Sequence, residues 1–480
     1  MKVFVNNYGL KIVFVLAISL RVVLGLINSE ANDDHLPVVH LIMEENRLPL
    51  RDECWECFQP KLYHAAIAGI FELFSIESLG VQIRVAQMVN VIAGSLLLVP
   101  VYYFLADFIK SRASQLLIFS LIAFNPRLIA VSIQATNDML AIFFSTLVIY
   151  FTYRYLQTDE TKIFAYVILF STLATLTKGS GLIVFIAVFL ILGLNLINQK
   201  LQLKYLGYVT MAVLGLGMSL YGGQYIQNYC TYGTPLVTNS PKKPFPNFSQ
   251  PTFEGRPGVV SIKSAYFTFR VLALISEPQM SYENNEAPWH QTSLWTQLYG
   301  RLNSIQFDPW PRSWVSDNGI RTILAQMTFF FALVPTSLMV FGIFVQLKEL
   351  GVRVRRSFAS LFVERIWMIQ IFGLGYIAFI LLYTLQYRDV ATMKVIFILP
   401  GLICFLYLLI SGYQQVEAML NGSRVMTFIQ TSILLVVCLY IGEVVLFAVD
   451  LPIYSVSPYV NSWTVSPLSP LEQTPMFCGS

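Results

Sequence analysis

Apolar residues in this chain come in blocks of roughly 15–25, separated by short polar joints, and not in the alternation of a strand or the one-sided stripe of a surface helix. The blocks are 11–28, 79–106, 114–134, 138–155, 163–176, 179–197, 205–225, 320–347, 366–386, 395–413 and 427–449. At 1.5 Å per helical residue most of them are long enough to cross a hydrocarbon core of roughly 30 Å. The pattern predicts an all-α, polytopic membrane protein of about 11 transmembrane helices. The joint Thr177-Lys178-Gly179 is short enough to be a kink instead of a loop, which leaves a margin of about one or two spans. Glu30 and further acidic residues follow the first block with no small-residue cleavage site, so that block reads as a retained span.

Composition agrees with this pattern. The chain has 480 residues, of which 56% are hydrophobic, 14% aromatic and only 12% charged, which is membrane-class usage. Alternating the blocks gathers Lys2, Lys110, Arg112, Arg154, Lys162, Lys200, Lys204, Lys348, Arg353, Arg355, Arg356, Arg365 and Arg424 on one side. The positive-inside rule makes that side cytoplasmic, with the N-terminus inside and the C-terminal tail outside. The net charge of +4 is then a topology signal, and no basic stripe accompanies a soluble domain that could hold nucleic acid.

A membrane domain over 1–449 therefore carries two external segments, 29–78 and 224–319, with an external tail at 450–480. In the first, two interfacial helices are expected at 34–45, with Pro37 in its first turn, and at 60–74. Cys54 and Cys57 form a lone Cys-x-x-Cys between them, readable as a local disulfide or as two free thiols. Cys404 and Cys438 fall inside spans. In the second external segment Trp289, Trp295, Tyr299, Trp310 and Trp314 suit interface anchors, or a minority could stack on sugar rings. The sequons at Asn247 and Asn421 fall on opposite sides and settle nothing about source.

The chemistry-capable groups gather at the external rim. Asp33 and Asp34 follow the first span closely enough for a headgroup-linked substrate to reach them, and a carboxylate there can orient or deprotonate an attacking hydroxyl. The same pair also fits a helix start, with Asp33 as N-cap and Asp34 in the first turn. Arg84, Lys178, Arg388 and Lys394 lie at external ends of spans, where they either surround a lipid phosphate or snorkel to headgroups. Asp138 could pair with one of these cations or hold a hydroxyl. Glu443, within the last span, suits a structural hydrogen bond. His35, His40 and His64 share the first external segment. Their spacing is no known ligand pattern, so no cofactor is expected, with a divalent metal as the lesser alternative.

The order of these motifs resembles the GT-C superfamily of polyprenyl-phosphate-sugar glycosyltransferases, in the branch with protein O-mannosyltransferases and lipid A aminoarabinose transferase. Asp33-Asp34 is similar to that family's acidic pair, with Asp in place of the usual Glu. Pro60-Lys61-Leu62-Tyr63-His64 resembles its Pro-Pro-Leu-Tyr run. Arg84, Asn125-Pro126, Asn137-Asp138, Leu176-Thr177-Lys178-Gly179 and Tyr232-Gly233-Thr234-Pro235 fall where the branch places similar residues. Lys394 ahead of Leu399-Pro400 resembles its late Lys-Ala-Arg-Tyr-x-x-Pro segment, although Ile396 and Phe397 replace Arg-Tyr.

The resemblance implies an inverting glycosyltransferase that moves a sugar from a polyprenyl-phosphate donor to a protein or glycolipid acceptor hydroxyl at the external face. Asp33 or Asp34 would serve the acceptor. Tyr63, His64, Arg84, Asp138, Lys178, Arg388 and Lys394 would bind substrate. The membrane would be the bacterial plasma membrane, with the site facing the periplasm, or the endoplasmic reticulum in a eukaryote. A transporter or flippase of a lipid-linked or anionic solute is the competing reading; it requires mid-span charges and repeat symmetry, and no strong internal repeat is present. A catalytically silent relative is a third.

Overall fold

The structure, a computed structural model, describes residues 2–198, 203–237, 262–278, 292–307, 314, 319–356, 365–387, 392–420 and 422–451. Arg388, Trp289, Trp310, Asn247, Asn421 and the tail beyond Leu451 lie outside the described residues. Among those described, every regular element is helical. Among the described residues nine helical segments are long and apolar enough to cross a membrane: Tyr8–Ile27, Leu79–Phe108, Asp138–Thr158, Gly179–Leu196, Lys204–Gly222, Gly319–Arg356, Arg365–Gln386, Leu399–Leu420 and Arg424–Asp450.

The two remaining predicted spans take other forms. The block 114–134 is a broken pair, Arg112–Ala123 and Pro126–Ser132, bent by 49°. Pro126 has no N–H to continue the first helix, and the Asn125 side chain restarts the chain by accepting from the Leu128 N–H at 3.0 Å. The block 163–176 is the 17-residue helix Thr161–Thr177, about 26 Å long and marginal for a crossing. It turns back against helix Asp138–Thr158 through Asp159, which sits in the left-handed region with φ 53°.

Packing in a bilayer depends on close backbone approach, because lipid is as apolar as the side chains. Helices Leu333–Arg356 and Leu402–Leu420 meet at two glycines: a Cβ on Gly342 would lie 1.9 Å from the Leu408 carbonyl, and one on Gly412 1.9 Å from that of Leu338. Ionisable groups inside spans are consumed by the fold. Arg21 donates to the Ala17 and Ala123 carbonyls, both at 3.0 Å, and so caps the helix that ends at the break. Glu443 accepts from Ser304 Oγ and the Ile305 N–H, each at 2.7 Å. Arg321 pairs with Asp450 at 2.9 Å.

Within the expected external segment 224–319 the structure describes one closely packed helix. Helix Leu294–Asn303 buries Leu294, Gln297, Tyr299, Arg301 and Asn303. Within it Arg301 Nε donates to Gln297 Oε1 at 2.8 Å, and its buried side packs into the bundle. Trp314 is likewise buried and stacks edge-on against Phe447, so it is no interfacial anchor. Trp295 is half-buried, with its indole N–H on the Tyr266 carbonyl.

Helix Asp138–Thr158 is about 31 Å long, which sets Asp138 and Asp159 at opposite ends of the bundle. At the Asp138 end the two polar segments touch: Arg51 lies over the Tyr232 ring at 5.0 Å, where Gly233, at φ 72°, stops helix Tyr225–Tyr232.

Candidate active site

The acidic loop is held by backbone pins. Asn28 Nδ2 donates to the Ile133 carbonyl at 2.8 Å, the Ala135 N–H to the Ala31 carbonyl at 3.1 Å, and Gln87 Nε2 to the Glu30 carbonyl at 2.6 Å. Asn90 Nδ2 in turn holds the Gln134 and Thr136 carbonyls. These bonds lay residues 28–31 beside the segment that leads into Asp138. Asn32 then takes φ 71°, a turn that Asn tolerates better than most residues, and the chain presents Asp33 and Asp34. Both are half-buried.

Helix Leu36–Glu45 starts after this turn, and its N-cap is His35, without a side-chain capping bond. The N-cap role considered for Asp33 is therefore not realised. Asp33 Oδ1 accepts instead from the Asp34 N–H at 2.9 Å. Burial pushes the Asp34 carboxyl up, Asp33 adds to that push, and His35 opposes it.

Behind the pair stand two histidines. His35 Nε2 lies 3.9 Å from Asp33 Oδ2, and His35 Nδ1 lies 2.8 Å from His64 Nε2. Burial holds His64 well below the ordinary imidazole range, reinforced by His35 and Lys61. Tyr63, equally buried, donates to the Ala86 carbonyl at 3.2 Å. His40 is separate, with its Nε2 on Gln82 Oε1 at 2.9 Å. Among the described residues no three His, Cys, Asp or Glu side chains are grouped as metal ligands.

The loop before helix Leu62–Leu73 adds two groups that the sequence reading passed over. Cys54 and Cys57 are disulfide-bonded, and Glu56 between them is buried. Gln59 Nε2 donates to Glu56 Oε2 at 2.9 Å, and Asn137 Nδ2 donates to Gln59 Oε1 at 3.1 Å and to the Thr177 carbonyl at 3.0 Å. This chain ties the disulfide loop to the two residues that precede Asp138 and Lys178. Burial pushes the Glu56 carboxyl up, while His35, Gln59 and Lys178 pull it down and Asp33 adds to the rise. Lys61 is buried with Nζ on the Cys57 and Gln59 carbonyls, and burial lowers it to about 7 against the pull of Glu56 and Glu53. The one sequence signal for Glu56 was its place inside the Cys-x-x-Cys loop.

Asp138 and Lys178 form an ion pair, the first at the start of its helix and the second at the end of Thr161–Thr177. The Phe397 ring covers the Lys178 ammonium at 5.7 Å, so the Phe that stands where the resembling family has Tyr supplies a cation–π face. Lys394, half-buried just before the turn Val395–Phe397, and His35 are electrostatic neighbours of Asp138. The structure thus brings Asp33, Asp34, Tyr63, His64, Asp138, Lys178 and Lys394 into one neighbourhood. Arg84 is exposed on helix Leu79–Leu96, with no ion pair among the described residues.

No curated protein sequence matches the chain. Among solved structures it is similar to the Archaeoglobus fulgidus oligosaccharyltransferase in the apo form, at 12% identity and a TM-score of 0.48, covering 94% of this chain and 56% of that one. The likeness to ArnT from Cupriavidus metallidurans bound to undecaprenyl phosphate has 13% identity and a TM-score of 0.47, over 93% and 77% of the two chains. AglB from Archaeoglobus fulgidus in complex with an inhibitory peptide and a dolichol-phosphate gives 13% identity and a TM-score of 0.39, over 94% and 56%. The chain spans just over half the length of the archaeal protein. Residues 59–221 match the family model described as dolichyl-phosphate-mannose-protein mannosyltransferase, a stretch that contains Tyr63, His64, Arg84, Asp138 and Lys178. Over residues 59–221, which hold most of the motifs of the GT-C resemblance, the chain is thus similar to the dolichyl-phosphate-mannose-protein mannosyltransferase family.

Proposed function

We propose that the protein is a membrane glycosyltransferase that moves a sugar from a polyprenyl monophosphate to an acceptor hydroxyl at the external face, with inversion at the anomeric carbon. The observation that carries this reading is the meeting of a carboxylate pair with a paired lysine at one end of an apolar bundle. The matched family is described by a donor of that kind, dolichyl phosphate mannose.

Asp33 and Asp34 orient the acceptor hydroxyl and take its proton; burial raises the Asp34 carboxyl, which suits it to accept a proton. Lys178 and Lys394 compensate the phosphate charge that grows as the glycosidic bond breaks, and Asp138 holds Lys178 in place until the phosphate arrives. Tyr63 and His64 back the acidic loop from within. Arg84, exposed on helix Leu79–Leu96 and without an ion pair among the described residues, is left out of this cradle. The Cys54–Cys57 disulfide supports an oxidising, non-cytoplasmic location for the loop.

The test is transfer in proteoliposomes from polyprenyl-phosphate donors carrying mannose, glucose or aminoarabinose to peptide and glycolipid acceptors. Transfer in the parent and none in Asp33→Asn/Asp34→Asn supports the reading. No transfer from any donor, together with no binding of undecaprenyl or dolichyl phosphate, removes it.

A further inference from the structure

Asparagine is among the preferred residues for the N-cap of a helix, where its side-chain oxygen accepts from an N–H of the first turn. Asn137 holds that position on helix Asp138–Thr158 and makes no such bond. Its Oδ1 is buried and has no hydrogen-bond partner among the described residues, and the residue is 0% exposed. The local preference is set aside here, and a departure of that kind needs a reason elsewhere in the fold.

The reason is on the amide nitrogen. Asn137 Nδ2 donates to the Thr177 carbonyl at 3.0 Å and to Gln59 Oε1 at 3.1 Å, which uses both of its hydrogens. A backbone carbonyl only accepts, so the Thr177 bond fixes which way the amide points, whatever the protonation of the groups around it. Thr177 is the last residue of helix Thr161–Thr177, and its carbonyl is one of those that a helix C-terminus leaves without a partner of its own. The residue before Asp138 therefore caps the helix whose next residue is Lys178. One side chain crosses between the two backbones at the point where each delivers its member of the ion pair. Beyond Lys178 the chain turns back so tightly that a Cβ on Gly181 would lie 2.3 Å from the Ala174 carbonyl, which restrains the lysine from its other side. The Phe397 ring then covers the ammonium at 5.7 Å.

We propose that Asn137 is a positioning residue that acts through Lys178. It forgoes capping its own helix and sets the height of Lys178 against Asp138, so that the ammonium stands where the donor's phosphate arrives. This rests on the transferase reading above, in which Lys178 meets that phosphate. Gln59 shares the amide and carries the restraint on to Glu56 Oε2 at 2.9 Å, so the loop closed by Cys54 and Cys57 is fastened to the same point.

Serine and threonine separate the two roles of this position, because both cap a helix well and neither carries an amide N–H to give to the neighbouring helix. The readout is undecaprenyl phosphate titrated into the full chain in detergent. Asn137→Ser should weaken its binding about tenfold. The same substitution made in the Asp138→Asn/Lys178→Met background, where Lys394 remains to meet the phosphate, should change binding less than about twofold, because the group through which Asn137 acts is gone. A side chain that only supported the fold would lower binding by the same factor in both backgrounds. Equal losses in the two backgrounds, or parental affinity in Asn137→Ser, overturn the proposal. If the serine variant does not fold, Asn137→Thr takes its place in the cycle with the same expected outcomes. A parent chain that binds no undecaprenyl phosphate overturns the transferase reading and this proposal with it, whereas a parent that binds, with equal losses in the two backgrounds, removes the proposal alone.

Discussion

Replacing Lys178 with Met tests whether the Asp138–Lys178 pair organises the site. The two side chains are 10% and 12% exposed, so removing the ammonium leaves a carboxylate with little water to turn to. Breaking a buried pair by deleting one partner typically costs about 3–5 kcal/mol, far more than the pair itself contributes. His35 and Lys394 still compensate part of the Asp138 charge, which puts the expected loss near the low end, about 3 kcal/mol, or roughly a hundredfold in the folding equilibrium. The double variant Asp138→Asn/Lys178→Met removes the stranded charge and should return to within about 1 kcal/mol of the parent. Reversible unfolding in mixed micelles against rising SDS fraction, followed by tryptophan fluorescence, measures all four corners of this cycle. The same four proteins, titrated with undecaprenyl phosphate, should show weaker binding wherever Lys178 is missing. A single variant as stable as the parent, or a double variant no better than the single, would refute the reasoning.

Three other outcomes follow from the same geometry. Asp33→Asn and Asp34→Asn should each abolish transfer while surface labelling and yield stay at parental levels, because half-buried loop carboxylates contribute little to packing; near-normal turnover in both, and in the double variant, would exclude carboxylate participation. Lys61 is held at about 7, so between that pH and 10.5 the unfolded chain binds a proton that the folded one lacks, and stability should climb with pH across this window by on the order of 4–5 kcal/mol. Lys61→Met should flatten that rise in pH-dependent unfolding, and an unchanged slope would show that the amine is not desolvated. Gly342→Leu and Gly412→Leu should each unfold or split the helix pair they join, visible as loss of thermal stability in detergent, since a Cβ there meets backbone at 1.9 Å; a parental melting profile would mean the helices do not cross at these glycines.

The fold was largely legible because lipid imposes one period and one length on every crossing segment, and nine of the expected blocks coincide with helices long and apolar enough to cross, with ends shifted by up to nine residues. What escaped was governed by other forces. The break at Asn125-Pro126 was written in the sequence, yet hydropathy alone reads through it, because both halves are apolar. Helix Leu294–Asn303 escaped because its sequence, LWTQLYGRLN, mixes polar and apolar residues evenly; its burial draws Gln297 and Arg301 into one hydrogen bond, which no single residue announces.

The site divides along a similar line. Asp33, Asp34, Asp138 and Lys178 stood out because a charge beside a span is costly enough to need a reason, and that reason is local to the membrane rim. Glu56 and Lys61 belong to a loop already crowded with charge, where the sequence offers no contrast. Only folding separates them from their neighbours, leaving Arg47 and Glu53 as an exposed pair while Glu56 and Lys61 are buried within the turn closed by Cys54–Cys57. His35 and His64, 29 residues apart, could be read from sequence as separate polar residues but not as a shared proton. Their pairing exists because the chain turns at Asn32 to set His35 ahead of one interfacial helix while His64 opens the next, so that the 12 residues of Leu62–Leu73 pack beneath Leu36–Glu45 and bring the two rings edge to edge. A site of this kind is specified twice. The costly charges mark the rim on which it lies, and the packing of two short helices decides which of the inexpensive polar residues nearby are drawn into it.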